Sequence, residues 1–438
     1  MQRHQTTRRH HAPARLRWRG AWLLAFAALS VVLAACGKTS SSSTSASASA
    51  NTSATTTAAA TASATTPASS SGSGSCGMIP TLPTHDTTGV IAKLGSPYTE
   101  GYNGNADTTF PSAWAHFKPK TPGNYTIGVA LSAPYNPFNA ALLAELKQHL
   151  SAVTGVSHVT VLTTLPTSPA TQIQQVNQFI QQHVTAIVTE PIVPPAMVPL
   201  AAKAKAAGIP VLAVLNGVSS PNVVSVSANS VADGLNLASG VAKLIGGKGT
   251  VIGVHGIPTT GNDTQAFTGF NAVFSHCPNI KFDGSIVGQF LPPVAKQQTL
   301  SWLSSHPQPV AGAVQAAVMG GAIIQAFQQT GRPQPALGNI QASAGDLAYW
   351  NEHKSTYKSV ATAANPSDIG RAVAYALSHI LSGHGPKVSE IVTHGTLITS
   401  DNLSQYLVPG AGPTSQALVT GPPNSFLPES YLAPLFNQ

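Results

Sequence analysis

The sequence predicts an α/β protein of doubly wound parallel sheets arranged in two lobes, and three observations predict it. Short β-rich apolar runs alternate with helical stretches of roughly 10–15 residues. Prolines and glycines stand where such helices should begin and end. A break near Val223 to Asn229 separates two similar strand-helix series.

In chain order, Tyr125 to Ser132 (YTIGVALS) reads as the first strand, followed by Asn136-Pro137-Phe138 and an apolar-periodic stretch from Phe138 to Val153. Val159 to Leu162, Ala186 to Thr189, Val211 to Leu215, Thr250 to Val254, Val310 to Val314 and Ser359 to Ala363 read as buried strands. Between them lie helical patterns over Thr171 to Gln182, Pro195 to Ala207, Val231 to Ile245, Thr264 to Ser275, Gly320 to Gln329 and Asp368 to Leu381. Such alternation places helices on both faces of a parallel sheet. Pro137 and Pro195 suit first helical positions, and Gly208 suits a C-terminal cap. Residues 76–123, rich in Pro, Gly, Asn and Thr, read as an irregular extension, and the Pro-rich tail over 409–438 is expected to pack along the surface.

The charge of this 438-residue chain is misleading. A formal +8 raises the question of nucleic acid, yet charged residues make up only 8 % of the sequence. Six arginines within residues 1–35 (Arg3, Arg8, Arg9, Arg15, Arg17, Arg19) account for six of those charges, which leaves +2 and no basic surface for a phosphate backbone. These arginines precede an apolar run from Ala21 to Ala35, too short to span a bilayer. A basic start, a short apolar core and small residues before a cut are the parts of a secretory leader over 1–35. The run closes on Leu33-Ala34-Ala35-Cys36, which resembles the lipobox of bacterial lipoproteins. That resemblance implies cleavage before Cys36, lipidation of its thiol and a protein held on the outer face of the cell membrane. Residues 36–75, almost entirely Ser, Thr, Ala and Gly after the first few, cannot bury enough apolar surface to fold and read as a tether with a reach of about 35 Å. Cys76 and Cys277 remain, a pair that could oxidise outside the cytoplasm and pin the extension to the domain.

Catalytic signatures are missing: there is no HExxH, GxSxG, GxxxxGK[ST] or closely spaced cysteine pair. Gly246-Gly247-Lys248-Gly249 lies between a helix and a strand, the reverse of a phosphate loop, and reads as a turn. His379, His384 and His394 lack ligand spacing and read as solvated loop residues, so neither metal nor cofactor is expected. In a doubly wound sheet, ligands bind beyond the carboxyl ends of the strands. The first such junction carries Ser132, Tyr135, Asn136, Phe138 and Asn139, amides beside aromatic rings, which suits a neutral hydroxyl-bearing molecule. Alternatively, Asn136 caps a helix and Phe138 is core.

The segment Tyr125 to Asn139, Ala207-Gly208-Ile209-Pro210-Val211, Asn229 to Gly234, Thr268-Gly269-Phe270 and Ala361 to Gly370 occur in the order and spacing of the ribose-binding-like, type 1 periplasmic binding proteins, which the chain resembles over roughly Asn124 to Tyr406. The resemblance implies two Rossmann-like lobes joined by three crossovers near Ser227 to Asn229, Ala363 to Pro366 and His394 to Thr396. Lobe 1 would then hold 124–229 and 366–394, and lobe 2 would hold 230–365 and 395–408. Residue by residue, Asn136, Pro137 and Phe138 match, whereas Asn139 replaces a second aromatic. Leu215 and Asn216 replace an Asp-Arg pair, Ala266 an arginine, Ala316-Ala317 an Asn-Asp pair, and Asn365 the hinge glutamine.

With the charged clamps largely gone, ribose would leave hydroxyls unpaired at about 1–3 kcal/mol each. The expected ligand is therefore a small, neutral, sugar-like molecule that is less hydroxylated or partly apolar. The candidate polar contacts are Asn136, Asn139, Glu190, Asn216, Asp263, Gln315, Gln341 and Asn365, with Tyr135 and Phe138 as aromatic partners. Bland roles stand beside these: Glu190 accepting N–H groups from its own turn, Asp263 capping the next helix, Gln315 and Gln341 facing solvent. The resemblance implies a non-enzymatic monomeric solute receptor delivering ligand to ABC permease subunits, with a sensor lipoprotein and, remotely, an extracytoplasmic enzyme as alternatives.

Overall fold

The computed structural model describes residues 75–393, 396–422 and 427–438. The leader, nearly all of the tether, Cys36 and His394 lie outside the described residues. The chain enters through an extension with two short helices, α1 (Val90–Leu94) and α2 (Tyr98–Gly101). The first lobe follows with β1 (Tyr125–Ser132), α3 (Pro137–Ser151), β2 (Val156–Thr164), α4 (Pro169–Gln181), β3 (Ala186–Thr189), α5 (Pro194–Ala206), β4 (Val211–Leu215) and β5 (Val223–Ala228). The second is built from α6 (Ser230–Leu244), β6 (Gly249–His255), α7 (Gly261–Phe274), β7 (Ile280–Val287), α8 (Pro292–Ser305), β8 (Val310–Gln315), α9 (Gly320–Thr330), β9 (Ala336–Asn339), α10 (Ala344–Glu352) and β10 (Ser359–Thr362). The chain then returns with α11 (Pro366–Ser382) and β11 (Glu390–Thr393), crosses again into β12 (Leu397–Ile398) and ends through α12 (Glu429–Leu432).

Two six-stranded sheets result, in the orders β11-β5-β4-β3-β1-β2 and β12-β10-β9-β8-β6-β7. Every pairing is parallel except β10 with β12. The chain passes between the sheets three times, after β5, after β10 and after β11, so three strands form the hinge. Each sheet is covered on both faces, as continuous apolar strands such as VLAVL require.

The sequence explains the packing locally. Prolines open α3, α4, α5, α8 and α11, where the missing N–H breaks no helical bond. Pro194, not Pro195, is the first residue of α5. The two motifs Asn229 to Gly234 and Thr268-Gly269-Phe270 meet in space: a Cβ on Gly234 would run into the Ala266 carbonyl, and one on Gly269 into the Val231 carbonyl. Their glycines let α6 and α7 cross in backbone contact. Buried Leu142, Leu146, Leu150, Phe270 and Phe327 each contribute about 1.5–3 kcal/mol of apolar burial.

The extension and the tail both bridge the lobes. Cys76 and Cys277 are joined by a disulfide, S–S 2.09 Å, and the Ser239 hydroxyl donates to Gly77 O at 2.6 Å, so residue 76 is fixed to the second lobe. Farther on, the Tyr102 hydroxyl donates to Glu390 O (2.6 Å) and Trp114 Nε1 to Asn222 O (2.7 Å), both in the first lobe. The tail binds the second lobe through Ala344 N–H to Ala417 O (2.7 Å) and the first through the Tyr431 hydroxyl to Val392 O (2.8 Å). It is not the surface strip expected from its composition, because Leu427, Leu432, Leu435 and Phe436 are buried in the first lobe's core. No helix among the described residues is long and apolar enough to cross a membrane.

Candidate functional site

Residues just beyond the carboxyl ends of six strands meet in one cleft between the lobes. The first lobe supplies Tyr135, Asn136, Phe138 and Asn139 after β1, Glu190 after β3, and Leu215 at the end of β4. The second supplies Phe290 after β7, Ala316, Ala317 and Val318 after β8, and Ile340 and Gln341 after β9, with Ser230 and Asp233 on α6 and Asn262 on α7.

Backbone geometry singles out this cleft. Leu215 (φ 67°), Phe290 (φ 57°), Val318 (φ 52°) and Gln341 (φ 54°) all adopt left-handed conformations that side-chain-bearing residues avoid. Such residues store on the order of 1–3 kcal/mol each, and they persist where the surrounding fold holds them for a purpose. The fold does hold them: beneath the floor, Gln315 Nε2 donates to Asn339 Oδ1 and Ile340 O, Asn339 Nδ2 donates to Asp346 Oδ2 (2.9 Å), and Ser343 caps α10. This buried polar chain fixes the loops that carry Val318 and Gln341.

The first-lobe wall is polar. Glu190 is buried, and its carboxylate accepts from Ser132 N–H at 3.1 Å and from the Ser132 and Asn139 side chains. Burial pushes its carboxyl up, and these hydrogen bonds oppose the shift only in part. Burial, then the Glu190 charge, raise the Tyr135 phenol as well. Asn136 Oδ1 accepts from Asn139 N–H (2.8 Å) at the start of α3, which leaves its amide N–H groups for the cleft. Across from it, the ends of β7, β8 and β9 present an apolar floor of Phe290, Ala316, Ala317, Val318 and Ile340 interrupted by Gln341. Among the described residues no Lys, Arg or His lines either wall.

Of the residues expected from the sequence, Tyr135, Asn136, Phe138, Asn139, Glu190 and Gln341 come together in the cleft. Four do not line it. Asn216 donates to Pro191 O at 2.9 Å. Asp263 does not cap α7: its carboxylate reaches back to the end of β6, accepting from Gly256 N–H (2.6 Å) and pairing with His255 Nδ1 (2.7 Å). Gln315 is fully buried below the floor. Asn365 caps α11 through Ser367 and Asp368 N–H and donates to Thr420 O of the tail. Glu190 does not serve its own turn but the neighbouring strand.

The unforeseen members are Asp233, Ser230, Asn262, Leu215, Phe290 and Val318. Asp233 was discoverable as an acid in the first turn of a helix entering the hinge, whereas a left-handed valine has no sequence signal. Among the described residues no group of His, Cys, Asp or Glu is placed to hold a metal ion.

Comparison with known proteins agrees with this architecture. The periplasmic binding protein domain family matches residues 127–385. A xylitol-binding protein of Mycolicibacterium smegmatis is 30% identical over 159 residues, 36% of this chain, and the match spans only 46% of that relative. A solved ABC transporter solute-binding protein from Thermobispora bispora superposes with a TM-score of 0.59 at 21% identity, covering 65% of this chain and 88% of that one. Another from Mycobacterium smegmatis, solved with bound glycerol, gives a TM-score of 0.59 at 19% identity, covering 68% of this chain and all of the other (100%). With a family match over more than half of its length and both sheets in the order described, the chain belongs to the periplasmic binding protein domain family.

Proposed function

We propose that the chain is a non-enzymatic solute-binding protein that captures a small neutral polyol or sugar-like molecule between its lobes and delivers it to an ABC permease, held at the membrane by a lipid on Cys36. The observation that carries this reading is the pairing of a hydrogen-bonding wall, Glu190 with Asn136, Asn139 and Tyr135, with an apolar floor at the ends of β7 to β9. A polyol donates hydroxyls to the carboxylate and lays its carbon chain on the floor. The absence of cations among the described residues of both walls speaks against anionic solutes, and the names of the xylitol-binding and glycerol-bound relatives support a polyol.

The walls enclose about 50 Å³, below the roughly 300 Å³ at which ligand cavities begin. The lobes therefore stand closer than a bound polyol requires and must part to admit one. Ligand then selects the closed pair, and the closed surface is what a permease reads.

A thermal-shift panel of xylitol, glycerol, inositol, ribose and hexoses tests the ligand class, because a ligand at about 100 Kd stabilises by about 2.7 kcal/mol. Polyols should raise Tm more than ribose does; a dominant ribose response overturns the reading from missing clamps. Replacing Cys36 by Ser should release the protein from membranes, and its retention there would contradict the anchor.

A further inference from the structure

Among the described residues a second cavity is larger than the cleft. It measures about 730 Å³ and lies between the extension, α6, the start of β12 and the tail. Asp233 is the residue it shares with the cleft.

The polar groups that build its walls are engaged in holding them together. Asn229 Nδ2 donates to Gly101 O (2.8 Å) and Asn103 O (2.9 Å). The Tyr98 hydroxyl donates to Tyr431 O (2.9 Å), the Tyr431 hydroxyl to Val392 O (2.8 Å), and the two rings stack with centroids 4.5 Å apart. Two groups stand apart. Among the described residues neither the Asp233 carboxyl nor the Asn236 amide, one turn farther along α6, has a hydrogen-bond partner. Glu100, exposed and accepting from the Ser96 hydroxyl at 3.0 Å, adds a second carboxyl, and among the described residues no Lys, Arg or His lines the wall. Burial pushes the Asp233 carboxyl up to about 7, as expected of a desolvated acid without a counter-charge.

We propose that this cavity is a second ligand site, distinct from the cleft, and that it takes a small organic ammonium compound. Its volume falls within the range of small-molecule sites, on the order of 300–1,000 Å³. An anion would meet two carboxyls and, among the described residues, no cation. A neutral polyol would leave Asp233 without a counter-charge, whereas an ammonium group gives Asp233 a charge-assisted hydrogen bond of about twice the strength of a neutral one. The Asn236 carbonyl accepts a further N–H, and the aliphatic stem rests against the Tyr98 and Tyr431 side chains. Because Asp233 serves both spaces, a bound cation draws it away from the cleft, and the two ligands weaken each other reciprocally.

Calorimetric titration of the purified full chain, above the Asp233 pKa, with diaminobutane and its neutral isostere butanediol tests the site. Binding of diaminobutane with at least about tenfold preference over butanediol is expected. Glu100→Gln and Asn236→Ala should each weaken diaminobutane while leaving polyol binding in the cleft intact. Asp233→Asn should weaken both. Glu190→Gln, which alters only the cleft, should leave diaminobutane binding unchanged, and the melting temperature of each variant confirms that it is folded. No heat with diaminobutane, equal binding of butanediol, or loss of diaminobutane binding on Glu190→Gln with none on Glu100→Gln would each overturn the proposal. Failure of the polyol panel alone would not touch it.

Discussion

The two sides of the hinge are built on opposite principles. On the cleft side, the side chains of Gln341 and Asp233 have no hydrogen-bond partner among the described residues, Asn136 keeps its amide N–H groups free, and the backbone at Leu215, Phe290, Val318 and Gln341 is held in left-handed conformations. On the other side, the large polar side chains of the extension and tail are engaged. Tyr98, Tyr102, Trp114 and Tyr431 all donate to backbone carbonyls, and a disulfide fixes the start of the extension to the second lobe. Free polar groups and strain mark the surface that meets a ligand, whereas satisfied groups mark the surface that stabilises the fold. The shared residue Asp233 is where this separation breaks down.

If the division holds, changes on one side should leave the other's property alone. The largest effect belongs to the disulfide. It closes a loop over a sequence separation of 201, so Cys277→Ser should reduce stability by on the order of 2–5 kcal/mol. Denaturant unfolding measures that loss, and polyol affinity at low temperature should stay within about twofold.

Next in size is a pH dependence, also on the side of the extension and tail. Asp107 of the extension and Glu390 of β11 flank Gly217 in the interior. Burial first, then the Asp107 charge, push Glu390 up to about 8 from an ordinary 4.5, and burial raises Asp107 too. Both bind protons more tightly folded than unfolded; the Glu390 contribution is fully present below pH 4.5 and is lost as pH rises through about 8. Melting temperature should fall across that window, and Glu390→Gln should flatten the fall.

On the cleft side, Glu190→Gln removes a charged acceptor from the ligand, and hydrogen bonds to charged groups are worth about 1.5–3 kcal/mol. Polyol Kd should rise about 10–100-fold. The smallest effect, and the one that most sharpens the comparison, is at Gln341. Glycine accepts its φ of 54° without strain, so Gln341→Gly should raise stability by about 1 kcal/mol while lowering polyol affinity a few-fold. A variant that loses both would show that the strained loop serves the fold, not the ligand.

Much of this was legible in the sequence because buried parallel strands announce themselves. YTIGVALS, AIVT and VLAVL are predominantly apolar and carry no charge, and they emerge as β1, β3 and β4. Four strands were not foreseen: β7 (IKFDGSIV) is half-exposed and carries Lys281, Asp283 and Gly284, β9 (ALGN) is rich in Gly and Asn, and β9, β11 (EIVT) and β12 (LI) are only two to four residues long. The tail's burial was hidden because Leu427, Leu432, Leu435 and Phe436 are scattered among prolines without a period. In the cleft, the junction after β1 followed from the strand-end rule, and Glu190 from the family resemblance. Gln315 and Asn365 were misjudged for a common reason: an amide's chemistry is visible in sequence, but whether a backbone carbonyl already engages it is decided by the fold.

The central claim is that the wall around Glu190 binds a polyol against the apolar floor. Calorimetric titration of xylitol into the wild-type chain and into Glu190→Gln tests it most directly. The account predicts a single saturable site in the wild type, weakened about 10–100-fold in a variant whose unliganded melting temperature is little changed. Xylitol affinity indifferent to Glu190, or no binding of any polyol or sugar by the folded wild-type protein, would contradict it.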